Sequence, residues 1–288
     1  MRRRDFWVLM APSLVVMFGL LAYPLYRTIR WSFERVQYGA DGTWVGLDNY
    51  REALSDPRLI HATVFTVGLT LVASLLLVVL GYWLAYLVNQ LGRTKPIVLG
   101  ILLISYVVPQ IVGATMFSWL FNSNFGGIVN HLVTEITGTE ILWFTDPWAN
   151  RVVILLNVLW FMLPFAMMVI IAGLQGVPHE TMEAARIDGA RGWRIHWHVI
   201  VPSIRGVLGF VCLISVMDIL RVFDALIPLS PQAVGIGNES IMLYIYNVAF
   251  HDGGQQLGLG SAINVLLIVL IVVMLFPFIR DTAREANQ

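Results

Sequence analysis

The sequence predicts an all-α, polytopic membrane protein with six transmembrane helices in a single domain spanning residues 1–288. Three observations carry that reading. Hydrophobic residues make up 58% of the chain and charged residues 12%, with a mean hydropathy of +0.75, which is more apolar surface than a soluble chain of this length can hide. The apolar residues gather into long runs, and at about 1.5 Å per residue each can cross a hydrocarbon core of about 30 Å. The basic residues concentrate in alternate connections, as the positive-inside rule requires of a multi-pass chain. The formal net charge is +0 and the one lysine is Lys95, so there is no basic field for nucleic acid. The lone cysteine, Cys212, sits in an apolar run and reads as a buried, inert thiol.

Arg2, Arg3 and Arg4 precede the first predicted span, residues 6–26. The pair Arg3-Arg4 faintly suggests an export signal, but no small-residue cleavage site follows it. Residues 27–61 turn polar, with Gly39, Gly42, Gly46 and Asp56-Pro57 as turn formers, and Val45 to Tyr50 leads into a short helix. Span two covers 63–88 and a tight basic link joins it to span three, 97–120, so the two are antiparallel. Pro109 should kink span three, because proline lacks the donor that continues the ladder. The connection 121–150 contains an amphipathic piece at 128–136, and span four, 152–172, should be broken at Leu163-Pro164. Asn157 and Trp160 on it either face a pathway or simply pack against another helix.

Residues 175–205 form a polar island between two apolar segments. Val177 is expected to cap a helix whose first position is Pro178, with Glu180 and Glu183 placing negative charge in the opening turns. Gly189, followed by Ala190, should end that helix in a left-handed conformation. Residues 193–201 mix Trp193, Trp197, Val199 and Ile200 with Arg194, His196 and His198, which suits a helix lying along the membrane interface, its histidines solvated, ahead of Pro202. Span five, 206–229, then carries Asp218, Arg221 and Asp224. On a continuous helix these fall on one arc of about 120°, with i, i+3 spacing that lets Arg221 pair with both carboxylates. The cluster lies about 20 Å beyond Arg205, in the outer half of the membrane. The connection 230–256 has no Lys or Arg, and Tyr244, Tyr246 and Phe250 suggest a short interfacial helix there. Span six, 257–279, carries Asn264, and residues 280–288 form a polar tail. Arg2–Arg4, Arg93, Lys95, Arg186, Arg191, Arg194, Arg205, Arg280 and Arg284 fall on one side, which the rule names cytoplasmic, together with both termini; Arg27, Arg30, Arg35, Arg51, Arg58 and Arg151 fall on the other, mostly in the first connection, where acidic residues dilute them.

The run Glu183-Ala184-Ala185, with Gly189 behind it and then Val199-Ile200-Val201-Pro202, resembles the EAA loop of binding-protein-dependent ABC importer permeases. Tyr23-Pro24, the segment Val45 to Tyr50, and Phe223-Asp224 are similar to features of the carbohydrate-uptake branch: maltose-, glycerol-phosphate- and trehalose-type permeases. The glycine-rich stretch expected after Asp224 is replaced by residues 229–235. The resemblance implies the transmembrane domain of a type I importer, in which residues 175–205 are the coupling loop and Glu183, Ala184, Ala185, Asp188, Gly189 and Pro202 engage the ATPase. It also implies a second homologous permease, as a heterodimer, two copies of a cytoplasmic ABC ATPase, an extracytoplasmic solute-binding protein, and a bacterial or archaeal cytoplasmic membrane with its lipid.

No phosphate-binding G-x-x-x-x-G-K-[ST] run exists, so ATP and Mg would be bound by the partner ATPase and this chain would carry no cofactor. His179-Glu180 lacks a second histidine at metalloprotease spacing, and His196 and His198 point to opposite sides of a helix, so no metal site and no catalytic residues are expected. The expected pathway residues for a hydroxyl-rich solute are Asp218, Arg221 and Asp224, with Asn157, Trp160 and Asn264. A membrane-embedded enzyme using Asp218 and Asp224 as acid and base is the alternative. A passive channel would leave the 183–202 pattern unexplained.

Overall fold

The computed structural model describes residues 3–38, 40–124 and 126–285. Arg2, Gly39 and the last three residues of the tail lie outside them. Among the described residues four helices are long and apolar enough to span a membrane: Phe6–Trp31, Pro57–Asn89, Pro147–Gln175 and Leu257–Phe278. The count reaches six when two broken pairs each form one span. The chain divides into two compact units, Met1–Ile60 with Ile241–Val272, and His61–Ser240 with Val273–Gln288.

In the first unit the opening span is helical to Trp31, beyond the expected end, with a wider π turn at Phe18–Ala22. That turn lies just before Pro24, whose missing N–H and ring cannot be fitted into a regular ladder. None of this span's apolar window is buried within the chain. A two-stranded hairpin follows, Glu34 facing Trp44 and Arg35 facing Thr43. The short helix predicted near residue 50 runs over Asp48–Ser55. Its Asn49 amide donates to the Ser32 carbonyl at 3.0 Å and to the Glu34 carbonyl at 2.9 Å, while the Tyr50 hydroxyl donates to Ser32 Oγ at 2.7 Å. The helix Ile241–Tyr246, continued by a π turn, matches the predicted interfacial piece, but Tyr244 is buried and donates its hydroxyl to Asp56 rather than facing the headgroups. Arg58 lies over the Tyr244 ring at 4.9 Å and pairs with Asp252 at 3.0 Å.

In the second unit, lipid tails are as apolar as the helix faces, so helix contact depends on close packing around small residues. Tyr82, Ala85, Ala166, Met167, Ile170 and Val211 belong to one such cluster. Trp160 of Pro147–Gln175 fits against Gly113, where a methyl would come within 2.7 Å of the ring. The expected kink at Pro109 is a full break: Lys95–Val107 and Gln110–Phe121 meet at 96°. Val108 before the proline is extended, as the proline ring demands of its predecessor. At Pro164 the outcome is reversed. The helix Pro147–Gln175 runs through it unbroken, starting earlier than expected, with Ala166 and Met167 buried beside it and Tyr106 stacked on Phe165 at 5.6 Å. Neighbouring helices supply the support that the lost hydrogen bond removes.

Span five departs from expectation too. Its helix ends at Ile219 and resumes only as the short turn Leu226–Leu229. Between them the chain tightens into i to i+3 turns, with the Arg221 N–H donating to the Asp218 carbonyl at 3.2 Å and the Val222 N–H to Ile219 at 3.0 Å. This buries Val222, Ala225 and Leu226 while leaving Asp218, Arg221 and Asp224 exposed, a separation that a straight helix could not make.

Candidate functional site

The polar island folds as a capped helix, a turn and a second helix. Pro178 itself takes the N-cap position with extended backbone, so the helix is His179–Ile187, one residue later than expected from a Val177 cap. Pro178 cannot donate, and at an N-cap no donor is required. The Gly189 N–H donates to Arg186 at 3.1 Å and the Ala190 N–H to Ala185 at 2.9 Å. Gly189 adopts φ +83°, the left-handed value expected of it, and Gly192, not anticipated, adopts φ +51°. Val177 and Met182 pack inward against the helix cluster. Glu180, Glu183, Ala184 and Ile187 form one exposed stripe, and Ile187 is 86% exposed. Asp188 and Gly189 extend the exposed surface past the helix end, and Ala185 is half-buried.

The second helix runs Trp193–Ser203 and meets Arg205–Ile219 at a bend of 73°. Its central turn, His196–Ile200, has π geometry, with the Val201 N–H donating five residues back to His196. Pro202 follows, exposed, one residue short of the helix end. His198 is exposed as expected, but His196 is buried at 9%, which corrects the expectation of a solvated ring. Its Nδ1 lies 2.6 Å from the Tyr82 hydroxyl. The rings of Tyr86, Trp83 and Tyr82 stand 4.4, 5.2 and 5.9 Å from it, and Trp83 stacks on Trp193 at 5.6 Å. A period-based reading of residues 193–201 misses this. The signal that could have found it is the aromatic run Tyr82, Trp83, Tyr86 at the end of span two.

At the opposite end of Pro147–Gln175 a second set of polar groups converges. Asn150 donates to the Leu229 carbonyl at 2.7 Å and accepts from Ser230 at 2.9 Å and Asn238 at 3.0 Å. Asn238 also donates to the Pro147 carbonyl at 2.8 Å and accepts from Arg151 at 2.7 Å. None of these was a sequence candidate. Beside them, Arg221 pairs with Asp218 at 3.0 Å. Among the described residues Arg221 makes no such contact with Asp224, because the helix that would have aligned the three has already ended. Asn157 is 1% exposed and its Oδ1 has no hydrogen-bond partner. Trp160 borders a cavity of about 350 Å³ whose lining is apolar apart from Ser105. Asn264 lies in the first unit, half-buried.

Long apolar helices, an exposed helix between two of them and an unwound segment at the far end of one define a multi-pass membrane protein. Comparison with known proteins is in agreement. The chain belongs to the family of binding-protein-dependent transport system inner membrane components, whose profile matches residues 77–281. It is therefore a permease subunit of an ABC importer, not an enzyme. It is 30% identical over 97% of its length, and 93% of the relative's, to the inner membrane ABC transporter permease protein YcjO of Escherichia coli. It is 28% identical to the trehalose/maltose transport system permease protein MalF of Thermococcus litoralis, covering 95% of this chain and 92% of that one. In fold it is similar to a chain of a bacterial ABC transporter that imports the acidic polysaccharide alginate, with a TM-score of 0.85 at 19% identity over 100% of this chain and 97% of that one.

Proposed function

We propose that this permease passes a sugar or sugar-like solute across the cytoplasmic membrane, driven by an ATPase docked on residues 175–205. The observation that carries the coupling role is the exposed stripe of Glu180, Glu183, Ala184 and Ile187, ended by a left-handed Gly189. Small side chains flanked by acidic ones suit insertion into a groove of a protein partner. The sugar assignment is supported by the similarity to the trehalose/maltose permease and to the alpha-glucoside permease AglF of Rhizobium meliloti, 27% identical. Hydroxyl-rich solutes require hydrogen-bonding partners on their path. Asp218, Arg221 and Asp224 at the unwound end of span five are the proposed pathway residues, with Asn157, Trp160 and Asn264. Residues 1–288 act as one transmembrane domain, with both termini and the coupling loop cytoplasmic. ATP and Mg are bound by two copies of the ATPase. A solute-binding protein delivers from the other side, and a second, homologous permease covers the first span, whose apolar window the chain itself leaves bare.

The test is Gly189→Val in the complex reconstituted with its ATPase and binding protein. A branched side chain in the left-handed region costs about 1–2 kcal/mol, which forces another exit from the helix. Uptake and stimulated ATP hydrolysis are expected to fall while membrane insertion is kept. Normal values of both would remove the coupling role.

A further inference from the structure

We propose that His196 is a positioning residue that ties the coupling segment to span two, so that movement of the loop is delivered to span two as well as to span five. The inference rests on the coupling role proposed above for residues 175–205. Covalently, the loop leads only into span five, and it does so through the 73° bend at Ile204, where one helix ends and another begins. At that angle a displacement along one helix axis is carried only in small part along the other. The sideways connection is different in kind. His196 is buried, its Nδ1 lies 2.6 Å from the hydroxyl of Tyr82, and three aromatic rings of span two surround it. Either tautomer keeps this bond, because the hydroxyl can donate to Nδ1 or accept from it.

Two further contacts make the connection broad. Trp193 stacks on Trp83 with only 11° between the planes, and Ile200 belongs to the same buried cluster as Tyr82, Ala85 and Val88. The π turn that begins at His196 widens the helix where the ring enters the cluster, which changes its direction relative to a regular turn. From Tyr82 the contact continues. Gly81 beside it packs so closely on Ile170 and Ala166 that an added methyl would lie 3.3 and 3.4 Å from them. A push on the loop therefore reaches the helix Pro147–Gln175 through span two without passing through the joint at Ile204.

The experiment uses the complete complex in proteoliposomes, measuring solute taken up per ATP hydrolysed. His196→Phe keeps a ring and loses the bond, Tyr82→Phe removes one oxygen, and His196→Asn restores a polar partner. For His196→Phe and Tyr82→Phe, ATPase co-purification is expected to be unchanged and the transport-to-hydrolysis ratio to fall about tenfold. The double variant should be no worse than either single one, and His196→Asn should recover most of the ratio. A ratio within about twofold of wild type in both phenylalanine variants overturns the proposal. So does loss of assembly in both, which would make the bond a structural tie only. If instead Gly189→Val leaves hydrolysis and uptake intact, the docking assignment of the loop fails, and that result is separate from the His196 ratio.

Discussion

The two ends of the helix Pro147–Gln175, about 40 Å apart by helical rise, are held by different physics. At the loop end, Ile170 and Ile171 belong to a cluster in which aromatic rings and a single hydrogen bond join the coupling segment to span two. At the other end, Asn150 donates to the carbonyl of Leu229 and Asn238 to that of Pro147 and to Asn150 itself, all short, directional bonds. The reason lies in what each end has to accommodate. Irregular backbone inside a membrane protein is tolerated only where other groups satisfy its carbonyls, and the break after Ile219 leaves those of Leu229 and Val222 to be bonded by Asn150 and Ser240. Ring surfaces have no such requirement. Their close packing lets a displacement of one helix press directly on the other.

If that contrast is right, the largest loss of stability should come from Asn150→Ala. Three bonds end at its carboxamide, and their buried partners would be stranded, at a cost of about 3 kcal/mol or more. Thermal unfolding of the purified complex in detergent should show a clear drop in midpoint, and an unchanged midpoint would show that the Asn150 bonds do not hold this end together. Between the two ends, Gly113→Ala brings a methyl to 2.7 Å from Trp160, for an expected cost of about 1–3 kcal/mol. Adding Trp160→Phe should give back part of that loss, and strict additivity of the two changes would show that the contact does not matter. The smallest effect belongs to the charges. Asp218 and Arg221 are 48% and 55% exposed, so Arg221→Ala should cost no more than about 1 kcal/mol. Asp224→Asn should leave unfolding unchanged yet alter uptake kinetics or solute preference. Identical transport of every solute tried would exclude Asp224 from the pathway.

The loop helix was legible because its signals are local. A proline ahead of the first turn, acidic residues within that turn and a glycine after the last one act within a few residues of themselves, and the structure shifts the start by a single position. The charged trio of span five was not legible in the same way. Helical spacing aligns Asp218, Arg221 and Asp224 only if the helix continues, and its end at Ile219 depends on what Val222, Ala225 and Leu226 find to pack against. Proline shows the same limit. Pro109 and Pro164 carry the same chemistry, yet one breaks its helix and the other does not; Pro109 is exposed, whereas Pro164 is itself buried within the packed helices.

Hydropathy and capping are properties of short stretches, so the multi-pass membrane character of the chain and the exposed helix within its central polar island could be read from the residues alone. Tertiary packing set the burial of His196 against Tyr82, the bond from Asn150 to the carbonyl of Leu229, and the bond from Ser240 to the carbonyl of Val222 just past the end of the span-five helix. Each of these joins residues far apart in the chain, and the free energy of such a contact depends on the surface brought to meet it, which no local pattern records.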